Sequence, residues 1–181
     1  MERIEVLSSE NISLVVPEKQ DIKLWYQWVN NIETQKYLWS MFWQVISLEA
    51  EEDYFDKLKN NQSIRQFCIY AKPESKIIWN ISLMEIDFQN RKANFWIAIF
   101  DTQNREKWYW TESIRLILKY AFEVLWLNKI NLRFIEFNER AKAVYEKIWF
   151  KYAWTLKQDF YQWWKYYDNI LMEIFFDDFK K

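Results

Sequence analysis

The segment at residues 105–111 combines the features of an anion-binding loop. It reads Arg-Glu-Lys-Trp-Tyr-Trp-Thr and lies between a strand-like run at residues 94–99 and an amphipathic stretch at residues 111–125. A short loop between a strand and a helix points backbone N–H groups and the positive end of the helix dipole at one place, which favours a phosphate. The sequence therefore predicts a site for a phosphate-bearing cofactor at this loop.

The absence of glycine affects how this loop is interpreted. The chain has no glycine and 13 tryptophans, whereas average usage predicts about 13 glycines at this length. Several tryptophans stand where a turn or a helix end favours glycine, namely Trp79, Trp126, Trp149 and Trp164. The pattern indicates tryptophan in the place of glycine, although ordinary core aromatics are the alternative and suit Trp25 and Trp28 at least as well.

The absence of histidine restricts the chemistry further. Without an imidazole the chain has no Ser-His-Asp or Cys-His catalytic group, and with one cysteine only carboxylates remain as metal ligands. We therefore expect no metal. An enzyme built on this sequence would use carboxylates, tyrosines, backbone groups or a cosubstrate.

The bulk properties are those of a small globular protein. The chain has 181 residues and a net charge of −1, so we expect one domain over residues 1–181 and no binding to nucleic acid or to a membrane. Cys68 cannot form an internal disulfide, and no signal peptide or long apolar stretch is present. These features predict a cytoplasmic protein.

Hydrophobic periodicity predicts a mixed α/β (α+β) fold in the order β-α-α-β-β-β-α-β-α-β-β. Ser47 and Asn138 are predicted N-caps of the helices that follow them. The three middle strands should form an antiparallel meander, followed by a βαβ unit with parallel pairing. The expected sheet has about seven strands, with about four helices. Strands are predicted at residues 11–16, 65–70, 77–86, 93–99, 130–136, 152–159 and 169–176, and helices at residues 21–30, 48–58, 111–125 and 139–148.

Three stretches resemble the GCN5-related N-acetyltransferase (GNAT) superfamily. With Trp108 and Trp110 read as glycine, the first loop becomes Arg-x-x-Gly-x-Gly, similar to the family's pyrophosphate loop for acetyl-coenzyme A. Residues 138–150 resemble the family's Asn-x-x-Ala-x-x-x-Tyr-x-x-x-Gly-Phe, with Trp149 in the glycine place. Residues 164–173 resemble the closing hairpin of the spermidine and ribosomal-protein acetyltransferase branches. The order of elements is similar to the GNAT fold over nearly the whole chain.

The resemblance implies transfer of an acetyl group from acetyl-coenzyme A to a primary amine. It implies that Tyr145 donates a proton to the coenzyme A thiolate and that Asn138 contacts the cofactor, while a core aromatic on its helix is the alternative for Tyr145. Backbone groups of Phe95, Trp96, Ile97 and Ala98 would pair with the pantetheine arm. The pyrophosphate would bind at Arg105, Lys107, Trp108, Tyr109, Trp110 and Thr111.

Acidic residues point to the acceptor. Glu33, Glu51 and Glu85 favour a polycation, because clustered carboxylates attract cationic substrates. A spermidine-like polyamine is the first expectation and a protein N-terminal amine the second, while solvent-facing side chains are the alternative for each glutamate. We also expect a homo-oligomer.

Trp108 and Trp110 also support a different class of function. A pyrophosphate cradle needs close backbone approach, which a large side chain opposes, so we expect this chain to bind acetyl-coenzyme A weakly. A non-catalytic binding or assembly module with a GNAT fold and a blocked cofactor loop is therefore the rival interpretation. A binder of single-stranded nucleic acid would need a basic groove, which the charge balance does not supply.

Overall fold

A computed structural model of the protein describes residues 3–36, 44–99 and 109–180. Within these ranges eight strands form one mixed sheet in the order β1-β2-β3-β4-β5-β6-β8-β7. The strands are β1 Glu5–Ser8, β2 Ile12–Val15, β3 Arg65–Ala71, β4 Lys76–Asp87, β5 Lys92–Ile99, β6 Lys129–Ile135, β7 Lys151–Gln162 and β8 Lys165–Phe175. The helices are α1 Ile22–Val29, α2 Ile32–Gln35, α3 Leu48–Leu58, α4 Tyr109–Lys119, α5 Glu139–Lys147 and α6 Phe176–Phe179.

The predicted order of elements is confirmed, with three short additions. Strand β1 pairs antiparallel with β2, and helices α2 and α6 have four residues each. Elements of this length are too short to show a clear hydrophobic period. The predicted helix at residues 111–125 begins earlier, at Tyr109, and continues from Lys119 into a π-helical turn, Tyr120–Val124.

Helix capping follows the sequence closely. The Ser47 side chain accepts a hydrogen bond from the Ala50 N–H, and the Asn138 side chain accepts one from the Ala141 N–H. Both bonds satisfy an N–H group that has no partner within its helix. The two predicted N-caps are confirmed.

The sheet changes direction between β5 and β6. Strands β1 to β5 pair antiparallel, β5 and β6 pair parallel, and β6, β8 and β7 pair antiparallel again. The parallel pairing is short, joining Lys92, Ala93 and Asn94 to residues 129–131. Beyond Asn94, β5 continues along β4 and β6 continues along β8. The two central strands therefore diverge and leave a cleft in the sheet.

The two faces of the sheet are covered by different helices. On the first face, α4 and α5 pack on the main core, as shown by Ile114 and Ala141 clustering with Phe95 and Leu132. On the second face, α1 and α3 cover β2 and β3, where Trp25 and Cys68 belong to a smaller cluster. Alternate residues of each strand face these two sides. None of the described helices is long and apolar enough to cross a bilayer.

The tryptophans at predicted glycine places adopt the expected backbone conformation at three positions. The φ angles are +56° at Trp126, +69° at Trp149 and +63° at Trp164. This left-handed region favours glycine, so the prediction is confirmed there. Trp79 is different: it lies in the middle of β4, fully buried and paired with Ile69 and Ile99, so the expectation of a turn or cap at Trp79 is wrong.

The β7–β8 hairpin is tighter than the sequence suggested. The predicted strands end at residue 159 and resume at residue 169, whereas Gln162 pairs with Lys165 across the two-residue turn of Trp163 and Trp164. Both turn residues have positive φ. A two-residue turn of this type matches the twist of the flanking strands, which lets both strands extend to the turn.

Candidate active site

Among the described residues, no strand pairs with the edge of β5 that faces the cleft beyond Asn94. On one side the strand remains paired with β4, through Ser82 opposite Trp96 and Asn80 opposite Ala98. On the other side its ladder with β6 ends at Asn94. Phe95, Trp96, Ile97 and Ala98 therefore border the cleft, as the pantetheine prediction requires. No described strand pairs with their backbone groups on this side, and a strand edge of this kind can pair with an extended, amide-bearing chain.

Tyr145 lies on α5, which packs on the first face of the sheet, and its ring contacts Phe95 of β5 at the cleft. Its ring is buried, with ring centroids 5.7 Å from Phe134, 5.9 Å from Phe150 and 6.3 Å from Phe95. Desolvation raises the pKa of Tyr145 well above its ordinary value, so the hydroxyl is protonated at neutral pH. The residue is thus a core aromatic that also borders the cleft, and its catalytic role remains a prediction.

The end of α5 fixes the position of Tyr145. The N–H of Phe150 donates to the carbonyl of Tyr145 and the N–H of Trp149 donates to that of Glu146, both at 3.0 Å. This pair of bonds is a Schellman motif, with Trp149 as its left-handed residue. The tryptophan at this glycine place therefore keeps the backbone arrangement that terminates the helix.

Trp110 occupies the space between the start of α4 and α5. Its ring is half-buried and stands edge-on to Tyr145 at 6.3 Å, with the Arg140 guanidinium 5.9 Å from the ring centre. The indole Nε1–H is buried and has no hydrogen-bond partner among the described residues. A large side chain thus stands beside the tyrosine where the resembled family has glycine.

The remaining residues of the predicted phosphate loop divide into two groups. The Tyr109 ring is buried, and its hydroxyl donates to the two Glu74 carboxylate oxygens at 2.8 and 3.1 Å. Desolvation, together with this bond, raises the pKa of Tyr109 to about 12. Thr111 is half-buried in the first turn of α4. Arg105, Lys107 and Trp108 lie outside the described residues.

Asn138 uses one side-chain atom for structure. Its Oδ1 accepts the capping bond from Ala141 at 3.1 Å, so this oxygen is already engaged at the start of α5. The predicted contact with the cofactor would therefore use the side-chain Nδ2 or the backbone of Asn138. Arg140, two residues further, was not among the predicted site residues. Arg140 is identified by the contact of its guanidinium with the Trp110 ring, and that contact depends on how α4 and α5 pack together.

The three predicted acceptor carboxylates lie on three different elements. Glu33 on α2 is exposed and forms an ion pair with Lys36 at 2.7 Å. Glu51 on α3 is buried, and desolvation raises its pKa. Glu85 is exposed in an irregular part of β4, where it accepts a hydrogen bond from Asn94. Their roles toward a substrate remain predictions.

A site for a metal ion is not found in the part of the chain that the structure describes. Within residues 3–36, 44–99 and 109–180, no three His, Cys, Asp or Glu side chains are grouped closely enough to hold one.

Comparison with known proteins agrees with this geometry. Spermidine N(1)-acetyltransferase of Escherichia coli K12 is 28% identical over 168 residues, covering 93% of this chain and 88% of that protein. The crystal structure of Vibrio cholerae spermidine N-acetyltransferase in complex with CoA and spermine has a TM-score of 0.87 at 24% identity, covering 94% of this chain and 99% of that one. A V. cholerae spermidine/spermine N-acetyltransferase with manganese ions has a TM-score of 0.77 at 25% identity, covering 91% and 92%.

The model of the acetyltransferase (GNAT) domain matches residues 11–151. This range includes the free edge of β5, the start of α4 and Tyr145 on α5. The chain therefore belongs to the GNAT family of acetyltransferases.

Proposed function

We propose that the protein is a polyamine N-acetyltransferase, which moves the acetyl group of acetyl-coenzyme A to a primary amine of a spermidine-like acceptor. The observation that carries the proposal is the cleft itself, with a free strand edge on β5 and a protonated tyrosine, Tyr145, beside it. The similarity to E. coli spermidine N(1)-acetyltransferase over most of both chains supports this choice of acceptor.

The free edge of β5 suits the donor. The pantetheine arm of acetyl-coenzyme A carries two amide groups, and an extended chain with amides can pair with a strand edge as another strand would. The N–H groups at the start of α4, including those of Trp110 and Thr111, would serve the pyrophosphate. Trp110 reduces the room beside that position, so we infer that the donor binds weakly.

The reaction needs little from the side chains. The lone pair of the neutral amine attacks the thioester carbonyl carbon, a C–N bond forms, and the carbonyl oxygen gains negative charge that backbone N–H groups of β5 would stabilise. The C–S bond then breaks, and Tyr145 donates its proton to the departing thiolate. The amine nitrogen loses a proton to water, and the tyrosine regains one, so the products are the amide and free coenzyme A.

The raised pKa of Tyr145 is compatible with this role. A thiol has an ordinary pKa of about 8.5 and a tyrosine one of about 10, so the proton transfer is slightly uphill in water. Burial raises the pKa of Tyr145, which makes its hydroxyl a weaker acid, and it raises the pKa of a buried departing thiol as well. The tyrosine hydroxyl is therefore protonated, and able to donate, over the whole neutral range.

Replacing Tyr145 with phenylalanine tests the proposal. The variant Tyr145→Phe keeps the packed ring and removes the proton, so we expect kcat for spermidine acetylation to fall by about 10²–10⁴-fold with the melting temperature nearly unchanged. Tyr120→Phe is the matched control, because Tyr120 is a packed tyrosine whose ring lies against Phe67 in the main core. An unchanged kcat in Tyr145→Phe would contradict the proposed role.

The choice of acceptor is tested separately. With acetyl-coenzyme A saturating, we expect a higher kcat/KM for spermidine than for a peptide with a free N-terminal amine, because Glu33, Glu51 and Glu85 favour a polycation. A preference for the peptide would support the ribosomal-protein type of acceptor. Absence of transfer to either amine would support the binding-module interpretation.

The proposal also takes residues 1–181 as a single acetyltransferase domain that assembles with copies of itself. Light scattering of the purified protein tests the assembly, and we expect a mass above that of one 22.8 kDa chain. Limited proteolysis tests the domain, with one protected core expected and two separable fragments as the contradicting result.

A further inference from the structure

The first turn of α4 is held by side chains from two other parts of the chain. The Tyr109 hydroxyl donates to the Glu74 carboxylate at 2.8 and 3.1 Å, and the Asn11 Nδ2 donates to Glu112 Oε1 at 3.1 Å. Asn11 directly precedes β2, and Glu74 lies in the turn between β3 and β4. The partners are 35 and 101 positions apart in the sequence, so neither contact is a local helix cap. We call these two contacts the α4 tethers.

The two turns that anchor the tethers are joined to each other. The Lys72 N–H donates to the Asn11 carbonyl at 2.9 Å, and the Lys72 Nζ donates to the Ser9 carbonyl at 2.7 Å. Strands β2 and β3 begin their pairing at the same place, with Ile12 opposite Ala71. The turn before β2 and the turn after β3 therefore form one base that holds the start of α4.

Both tethers act on the same side of the helix. Tyr109 and Glu112 are three residues apart, so their side chains share one face of α4. The Tyr109 ring also packs on Trp79 of β4, with ring centroids 6.5 Å apart. Trp110, on a different face, contacts the Tyr145 ring of α5 at 6.3 Å. The tethers therefore hold α4 from the side of β2 to β4 and not from the side of α5.

An ordered first turn favours the binding of an anion. The ends of helices fray, and the N–H groups of the first turn have no partner within the helix. These are the groups, including those of Trp110 and Thr111, that we propose for the pyrophosphate of coenzyme A. A site that is ordered before its ligand arrives avoids the entropic cost of ordering on binding. The Ser113 hydroxyl adds to this order by donating to the Tyr109 carbonyl at 2.6 Å.

We propose that the two α4 tethers preorganise the start of α4 for the pyrophosphate of coenzyme A. This inference rests on the proposed function and adds to it the side chains that set the affinity for the donor. The positioning residues are Tyr109, Glu74, Asn11 and Glu112. They act through the position and order of the first-turn N–H groups, and not through contact with the donor.

Positioning and charge predict opposite effects at the tethers. Glu74 and Glu112 are carboxylates, and a carboxylate close to a phosphate repels it. The turn that contains Glu74 also carries Lys72 and Lys76, whose charges have the opposite effect. A change that keeps the hydrogen bond of a tether and removes its charge therefore separates the two contributions.

Calorimetric titration with coenzyme A and with pantetheine tests the proposal. Tyr109→Phe keeps the buried ring and removes the hydroxyl, so we expect the Kd for coenzyme A to rise about three- to tenfold. Pantetheine has no phosphate, so its Kd should not change. Tyr54→Phe is the matched control, because the Tyr54 hydroxyl donates to Gln66 Oε1 at 2.6 Å and the ring packs in the smaller cluster of the second face. Both Kd values should stay unchanged in this control.

Two substitutions of Glu74 separate positioning from charge. Glu74→Gln keeps an oxygen that accepts from Tyr109, so its Kd for coenzyme A should stay within about twofold of the parent value. Glu74→Ala removes the acceptor and should weaken binding as Tyr109→Phe does. The double variant Tyr109→Phe/Glu74→Ala should be no weaker than either single variant, because both changes remove one contact. Tighter coenzyme A binding in both Glu74 variants would overturn the proposal in favour of charge repulsion.

Melting temperature separates a positioning role from general stability. Tyr109→Phe and Tyr54→Phe each lose a hydroxyl bond, so both should melt at a lower temperature, while only Tyr109→Phe should change the Kd for coenzyme A. Asn11→Ala breaks the second tether and should weaken coenzyme A binding similarly. Equal Kd values for coenzyme A in the parent chain and Tyr109→Phe would overturn the proposal. Equal weakening of coenzyme A and pantetheine, or a parent chain that binds no coenzyme A, would overturn it as well.

Parallel acetylation assays distinguish this proposal from the proposed function. Acetyl transfer by the parent chain, with a coenzyme A affinity that Tyr109→Phe does not change, would contradict the positioning role and leave the enzyme activity standing. Coenzyme A binding that depends on Tyr109, without any acetyl transfer to spermidine, would contradict the activity and leave the positioning role standing.

Discussion

Trp149 and Trp110 stand at two glycine places of the resembled family, and they differ in backbone conformation and in burial. Trp149 ends α5 at a φ of +69°, exposed to solvent, with the Arg115 guanidinium 5.7 Å from its ring centre. Trp110 lies inside the first turn of α4, half-buried against Tyr145. At the helix end tryptophan changes the backbone energy, whereas at the cleft it changes the space that a ligand can use.

The comparison separates stability from function. A non-glycine residue in the left-handed region costs about 1–2 kcal/mol of stability and leaves the site intact. A side chain in a binding cleft costs affinity, because a ligand must displace it or bind around it. The same residue type therefore predicts two different phenotypes at the two places.

Restoring glycine at the cleft should have the largest effect. We expect the double variant Trp108→Gly/Trp110→Gly to bind coenzyme A about 10–100-fold more tightly than the parent chain, because the helix start becomes accessible to the pyrophosphate. Calorimetric titration measures the two Kd values. Unchanged affinity would mean that the two tryptophans do not limit coenzyme A binding, and it would favour the binding-module interpretation.

Restoring glycine at the helix end should change stability instead. Trp149→Gly removes the left-handed strain at the end of α5, so we expect the free energy of unfolding to rise by about 1 kcal/mol. Chemical denaturation measures this rise, and coenzyme A affinity should stay within twofold of the parent value. A large gain in affinity from Trp149→Gly would show that the two places are not independent.

The pH dependence of stability tests the contact that Tyr109 makes with Glu74 at the start of α4. Its folded pKa of about 12 lies above the ordinary value, so its contribution to stability is complete below pH 10 and is lost as pH rises toward 12. The stability difference between the parent chain and Tyr109→Phe should therefore shrink over that interval. A difference that stays constant from pH 9 to 12 would mean that the bond to Glu74 does not anchor this turn.

Much of the fold could be predicted from local pattern. Helical spacing, the caps at Ser47 and Asn138, and the turn residues all act over a few positions, so the sequence carries them directly. The left-handed conformation at Trp126, Trp149 and Trp164 was predicted for the same reason. Strand β1 was missed because four residues show no clear period.

The arrangement around the cleft could not be predicted in this way. The strand that contains Trp79 was predicted, whereas the burial of the Trp79 side chain depends on packing against Tyr109, with ring centroids 6.5 Å apart. Long-range contacts of this kind require the assembled sheet.

The most direct test of the account is spermidine acetylation by Trp108→Gly/Trp110→Gly with and without Tyr145→Phe, followed by mass spectrometry of the product at low acetyl-coenzyme A. We expect the double variant to form acetylated spermidine faster than the parent chain, because the donor binds more tightly. The added Tyr145→Phe change should remove most of that rate. A rate that does not rise with glycine at the cleft, or that survives without the tyrosine hydroxyl, would contradict the central claim that acetyl transfer takes place between β5 and β6.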